Sequence, residues 1–171
     1  MKIDFSKPFW QVLGIGSLAG IRASFGPLLA SEILNSNHST NLESSPLNFI
    51  QTGKAVNTLR VMAIGELIAD KLPTTGDRIS TGGVCGRMVS GGLAGASIYK
   101  AASEKTARGT ILGAAAALAA TYASFYLRKG IVEKSKIFDP VIGVLEDAVA
   151  ICAGIYIVKH ALEVKSHTTT A

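Results

Sequence analysis

Charge is what this sequence has least of: Asp, Glu, Lys and Arg make up 17% of its 171 residues, against about 25% in an ordinary soluble domain. Hydrophobic residues reach 48% and the mean hydropathy is +0.35. A single core of this size cannot hide that much apolar surface, so lipid is expected to cover the excess. Cysteine is scarce too. Cys85 and Cys152 both lie in apolar stretches, which argues against a disulfide framework and points to small core packing. His38, His160 and His167 fall near loops or termini, so no buried metal cluster is expected. Aromatics are 6%, and no Lys/Arg run interleaves with them. That excludes a nucleic-acid groove, although the formal charge is +5 and the pI near 9.3. The basic residues sit at the ends of apolar stretches, where anionic headgroups attract them.

Enzyme signatures are absent as well. There is no Gly-x-Ser-x-Gly elbow, no His-Glu-x-x-His zinc pair and no phosphate-binding loop. Gly14, Gly16 and Gly20 have the wrong spacing for a dinucleotide site, and no cofactor is expected. Residues Asp70 to Arg78 lack the alternating acids of a calcium loop and read as a capped turn, with Asp77 opening the next helix.

What the sequence does contain is a series of apolar stretches. The first runs from Pro8 to Leu34 with no cleavage site, and Phe9 and Trp10 at its start suit an interfacial aromatic belt. Pro27 cannot donate to the carbonyl of Ala23, so a kink or broken helix is expected there. Within a bilayer, such irregular backbone survives only where protein or a wet cavity satisfies it. Residues 35–55 read as a polar surface loop prone to disorder. A second helix, Val56 to Leu72, spans about 25 Å, short for a full crossing. The third, Ile79 to Ala102, is dense in glycine, and Gly82 to Gly86 and Gly91 to Gly95 are small-xxx-small pairs that let helices approach closely. Ala107 to Leu127 and Pro140 to Leu162 complete the set, with 163–171 as a flexible tail. The expected fold is an all-α polytopic transmembrane helix bundle of four to five spans in a single integral membrane domain, 1–171. The likeness of Leu18–Phe25 to Leu118–Phe125 suggests an internal inverted repeat as a variant of that fold. Basic residues divide almost evenly between the two sides, so the positive-inside rule assigns no orientation.

The ionisable residues inside these stretches are the functional pointer. A charge at the centre of a membrane helix costs about 2.5–3.5 kcal/mol even on lenient insertion scales, so it needs a partner, a proton or water. Four acids, Glu66, Asp70, Glu146 and Asp147, stand against two arginines, Arg22 and Arg87. Glu66 and Asp70 are one helical turn apart and share a face. Glu146 and Asp147 differ by about 100° around their helix and address different partners, both bordering the small face of Gly143, Ala150 and Gly154. The surplus of acid calls for protons or cations. Arg87, flanked by Gly83, Ser90 and Gly91, has room to clamp a carboxylate or an anionic group, and Arg22 can do the same.

Gly65-Glu66-Leu67-Ile68-Ala69-Asp70-Lys71-Leu72-Pro73, the Gly86-Arg87 helix and Leu145-Glu146-Asp147-Ala148 together resemble a family of bacterial multi-pass membrane proteins known only as a domain of unknown function. The resemblance covers roughly residues 10 to 160. By this similarity Glu66, Asp70, Lys71, Pro73, Arg87, Glu146 and Asp147 are the matching positions. Ile21-Arg22-Ala23-Ser24 departs from the Asn-Pro character expected in the first helix, and the turn after Pro73 is longer before Asp77. The resemblance implies an integral membrane location, in the bacterial inner (cytoplasmic) membrane, and no assigned activity.

Three functions fit these residues. The leading one is a small transporter or channel-like protein that binds a cation or protons through Glu66, Asp70, Glu146 and Asp147, with Arg87 and Arg22 orienting them. Its partners are the lipid bilayer, a small ion or small-molecule substrate, and further copies of the chain, since so few helices scarcely enclose a pathway alone. The second is a membrane scaffold or assembly subunit whose ion pairs fix helix register. The third is a lipid-headgroup enzyme using Glu146 and Asp147 as acid and base.

Overall fold

The computed structural model describes residues 7–69, 80–135 and 139–168. Those residues are helical apart from short connections, with no strand among them. Asp70, Lys71, Pro73, Asp77 and the turn they form lie outside the described residues.

The first apolar stretch is two helices. α1, Pro8–Ile21, opens on a proline whose fixed φ suits the first turn and whose missing N–H costs nothing there. It ends at Arg22, which is extended at φ −135° and ψ 115°, and α2 begins at Phe25 and runs to Ser36. The break falls just upstream of Pro27 because a proline ring clashes with the carbonyl four residues before it, here Ala23. Pro27 itself sits in the first turn of α2, where no donor is missed.

The polar connection at 35–55 is folded. It holds a single turn, α3 (Thr40–Glu43), and a 3-10 segment at Pro46–Gln51. Leu42, Ile50 and Gln51 are buried, Ser31 of α2 donates to the Ile50 carbonyl, and Ser39 donates to Ala101 at 3.0 Å. Short apolar residues among the polar ones are enough to seat it across the ends of its neighbours. α4 follows at Gly53–Ala69, then α5 at Thr81–Ala101, α6 at Thr106–Ser135 and α7 at Asp139–Thr168. α7 continues past Leu162 into the segment expected to be a tail.

The tightest packing is a seam of glycines joining α5 and α6. A Cβ on Gly91 or Gly95 would strike the carbonyl of Gly113 or Gly109, and Cβ atoms on Gly109 and Gly113 would strike those of Gly95 and Gly91. The same seam admits α1, where a Cβ on Gly16 would stand 2.8 Å from the Gly113 carbonyl. Close approach of this kind lets backbones make dispersion contacts that bulky side chains would prevent. Gly82 and Gly86 belong to the same sequence pattern, but among the described residues a Cβ on either would meet no atom within 4 Å. Small-residue spacing therefore marks a contact in only one half of α5.

Both cysteines correct the expectation of core packing. Cys85 and Cys152 are exposed, the first on the bare half of α5 and the second on the face of α7 turned away from Gly143, Ala150 and Gly154. The two stretches that hint at a repeat also differ. Residues 18–25 contain the break, whereas 118–125 are uninterrupted helix packed directly on it.

One helix among the described residues is long and apolar enough to cross a membrane, Thr106–Val132, with 27 residues and a mean hydropathy of 1.4. α1 is apolar but shorter. α7 interrupts its apolar run with Glu146 and Asp147, and α5 dilutes its own with glycine.

Candidate functional site

Breaking a helix strands main-chain groups, and each buried one needs a new partner. Between Gly20 and Ser24 the main-chain groups take partners from three other helices, and the Arg22 side chain takes one from a fourth. Thr121 of α6 donates to the Gly20 carbonyl at 3.0 Å while keeping a bond to Ala117 of its own helix. Ser90 of α5 donates to the Ala23 carbonyl, the acceptor that Pro27 leaves without a helical donor. Glu66 of α4 accepts the N–H of Ala23 at 2.9 Å and that of Ser24 at 2.8 Å, one on each oxygen, and the Ser24 hydroxyl as well. Ser24 is the N-cap of α2, so the Glu66 carboxylate stands at the positive end of that helix.

The fourth partner is a charge. Arg22 points its guanidinium to Asp147 of α7, with Nε 2.9 Å from Oδ1 and Nη2 bonded to the same oxygen. Arg22 is 1% exposed and Asp147 7%, so the pair is out of bulk water. In such a setting each ion needs the other, and removing either leaves a buried charge unmatched. The extended conformation of Arg22 is what turns its side chain across the bundle toward α7.

Glu146, one residue earlier, looks elsewhere. Its Oε2 is 3.9 Å from Nη1 of Arg128 on α6, an ion pair longer than a hydrogen bond. The Arg128 guanidinium lies over Gly143, where a Cβ would stand 3.7 Å from it. The inner stripe of α7, Gly143, Asp147, Ala150 and Gly154, is buried, as the small-residue face requires.

The sequence signature of a family described as "Domain of unknown function (DUF4126)" matches residues 10–165. The chain belongs to that family. The matched span of this DUF4126 chain contains every residue that meets at the helix break. No curated protein and no solved structure matches it.

Of the residues expected from sequence to form a site in this DUF4126 chain, Arg22, Glu66 and Asp147 converge on the break. Glu146 reaches Arg128 beside it. Arg87 is half-buried on α5, one turn before Ser90. Asp70 lies outside the described residues. Ser24, Ser90, Thr121 and Arg128 take part without having been expected as site residues. Ser90 and Thr121 are hydroxyls among glycine and alanine, a signal of inter-helix bonding that carries no charge to draw attention to it.

Proposed function

We propose that this protein is a small polytopic membrane transport protein of four to five spans, and that the α1–α2 break is its binding centre for a proton or small cation. The observation that carries this reading is the convergence of one side chain from each of α4, α5, α6 and α7 on a single unwound segment. Irregular backbone at membrane depth is sustained where it lines a site, and broken helices are the recurrent means by which transporters build one. α6 supplies a full crossing, while α1 and α2, of 14 and 12 residues, turn back on one another at the break as a re-entrant pair: Gly154 faces both Leu18 and Leu29, and Val12 and Ser39 both lie against the second half of α5.

In this mechanism the carboxylates work by exchanging partners. A proton or cation arriving at Glu66 competes with the amides of Ala23 and Ser24 and loosens the hold of α4 on the start of α2. One arriving at Asp147 competes with Arg22 and loosens α7. Loading the centre thereby changes the packing of α4 and α7 around α1, α5 and α6, which the glycine seam keeps rigid. Alternating access of a small ion needs such a contrast between a fixed and a movable part.

Flux of protons and monovalent cations into liposomes containing the purified protein tests the reading. Loss of flux in Glu66→Gln and Glu146→Gln, with the fold retained, is the expected result. Wild-type flux in both variants, or no flux in the wild type for any cation tried, rejects it. The second reading, a membrane assembly subunit with structural ion pairs, draws on the burial of Arg22 with Asp147. It expects charge-swapped pairs to restore the protein fully.

A further inference from the structure

α4 and α7 flank α2 and leave a lateral groove of about 400 Å³ between them. Leu28 and Leu29 of α2 form its floor, Ile64 and Leu67 of α4 one wall, and Ile151 and Ile155 of α7 the other. Its lining is apolar except for Glu32, Arg60 and Lys159.

The helix register places those three together. Glu66 meets Ser24 and Arg60 meets Glu32, so α4 runs antiparallel to α2 along the groove. On α7, Asp147 is level with Arg22, and Gly154 packs against Leu29. Lys159, five residues beyond Gly154 and thus about 7.5 Å further along α7, reaches the level of Glu32. One end of the groove, by Phe25, Leu67 and Ile151, is therefore wholly apolar and adjoins the helix break. The other end is charged, and two cations outweigh one acid there. Arg60 gives Nε to Glu32 at 2.7 Å, and a guanidinium engaged through one nitrogen keeps further donors in hand.

A slot with an aliphatic floor and walls and a net positive rim suits an apolar chain carrying an anionic head. Its volume is in the range of single-molecule sites, about 300–1,000 Å³. We propose that the groove binds an acyl chain of an anionic membrane lipid, with the phosphate at Arg60 and Lys159 and the chain running toward Phe25. This rests on the membrane reading above but not on transport. A chain seated there ends beside Leu67, next to the Glu66 contact with α2.

Native mass spectrometry of the full chain in mild detergent, with phosphatidylglycerol or phosphatidylcholine added, reads the binding without any flux measurement. The expected result is preferential retention of phosphatidylglycerol. Lys159→Gln weakens that retention by about fivefold, the effect of one basic residue at an anionic lipid surface, and leaves phosphatidylcholine unchanged. Ile155→Trp, which fills the groove from its exposed wall, abolishes retention, and Ile64→Trp on the opposite wall repeats the test should the first variant fail to fold. Equal retention of the two lipids, retention untouched by the tryptophan variants, or a lipid-free dimer disrupted by Ile155→Trp overturns the proposal. Lipid binding without flux leaves this proposal standing and removes the transport reading, so the two fail separately.

Discussion

Glu66 and Ser24 meet where α2 begins, the carboxylate accepting the serine N–H at 2.8 Å and its hydroxyl at 2.5 Å. A side chain from the middle of the chain thus caps α2 at its N-cap residue, 42 residues earlier. The contact ties α4, which among the described residues packs chiefly on α2 and the folded polar connection, to the break between α1 and α2.

Glu66→Gln keeps the shape of that cap but replaces one accepting oxygen with an NH2 group that cannot take an N–H. One amide of the Ala23–Ser24 pair is left without its acceptor, at a cost of about 1–3 kcal/mol. Amide hydrogen exchange at Ala23 and Ser24 is expected to speed up by roughly ten- to a hundredfold, while the α5–α6 seam keeps wild-type protection. Unchanged exchange at both amides would show that Glu66 does not hold the break.

Ser90→Ala removes the only hydroxyl described as donating to the Ala23 carbonyl. A buried acceptor left unmade costs about 1–3 kcal/mol. The melting temperature in detergent should fall, and Ser90→Thr, which restores the hydroxyl, should recover part of the loss. A full loss in the threonine variant as well would point to crowding at this position and not to the hydrogen bond.

The glycines divide by position. Gly95→Val forces a side chain into the Gly109 carbonyl and should abolish folded protein, since the obstacle is backbone that cannot turn aside. Gly82→Ala and Gly86→Ala meet open space and should stabilise α5 by about 0.5–1 kcal/mol each. Thermal unfolding of the three variants checks both halves of the statement.

Much of the helical plan was legible in the sequence. Pro27 announced an interruption and named Ala23 as the stranded carbonyl, because proline chemistry acts at a fixed offset. Gly91 and Gly95 announced a close helix contact. Glu146 and Asp147 announced two directions, because adjacent helical residues diverge by about 100°. Other features depend on tertiary partners and leave no local mark. Gly82 and Gly86 repeat the spacing of Gly91 and Gly95, yet among the described residues only the latter pair has a helix opposite it. Cys85 and Cys152 have apolar neighbours in sequence but face outward, since hydropathy does not say which face of a helix is covered. The role of Ser90 follows from the geometry of another helix, and nothing around it in the sequence distinguishes it from Ser97, which bonds its own helix at Leu93.

The Arg22–Asp147 pair gives the most direct test of whether the break is a working centre or a fastening. Arg22→Leu or Asp147→Asn alone leaves one charge buried and should cost about 3–5 kcal/mol. Replacing both with leucine removes the two charges together and should return stability close to the wild type. The decisive measurement is cation and proton flux in liposomes carrying the folded Arg22→Leu/Asp147→Leu protein. The account predicts a bundle that assembles normally and conducts nothing; flux at the wild-type rate from that doubly neutral protein would contradict it.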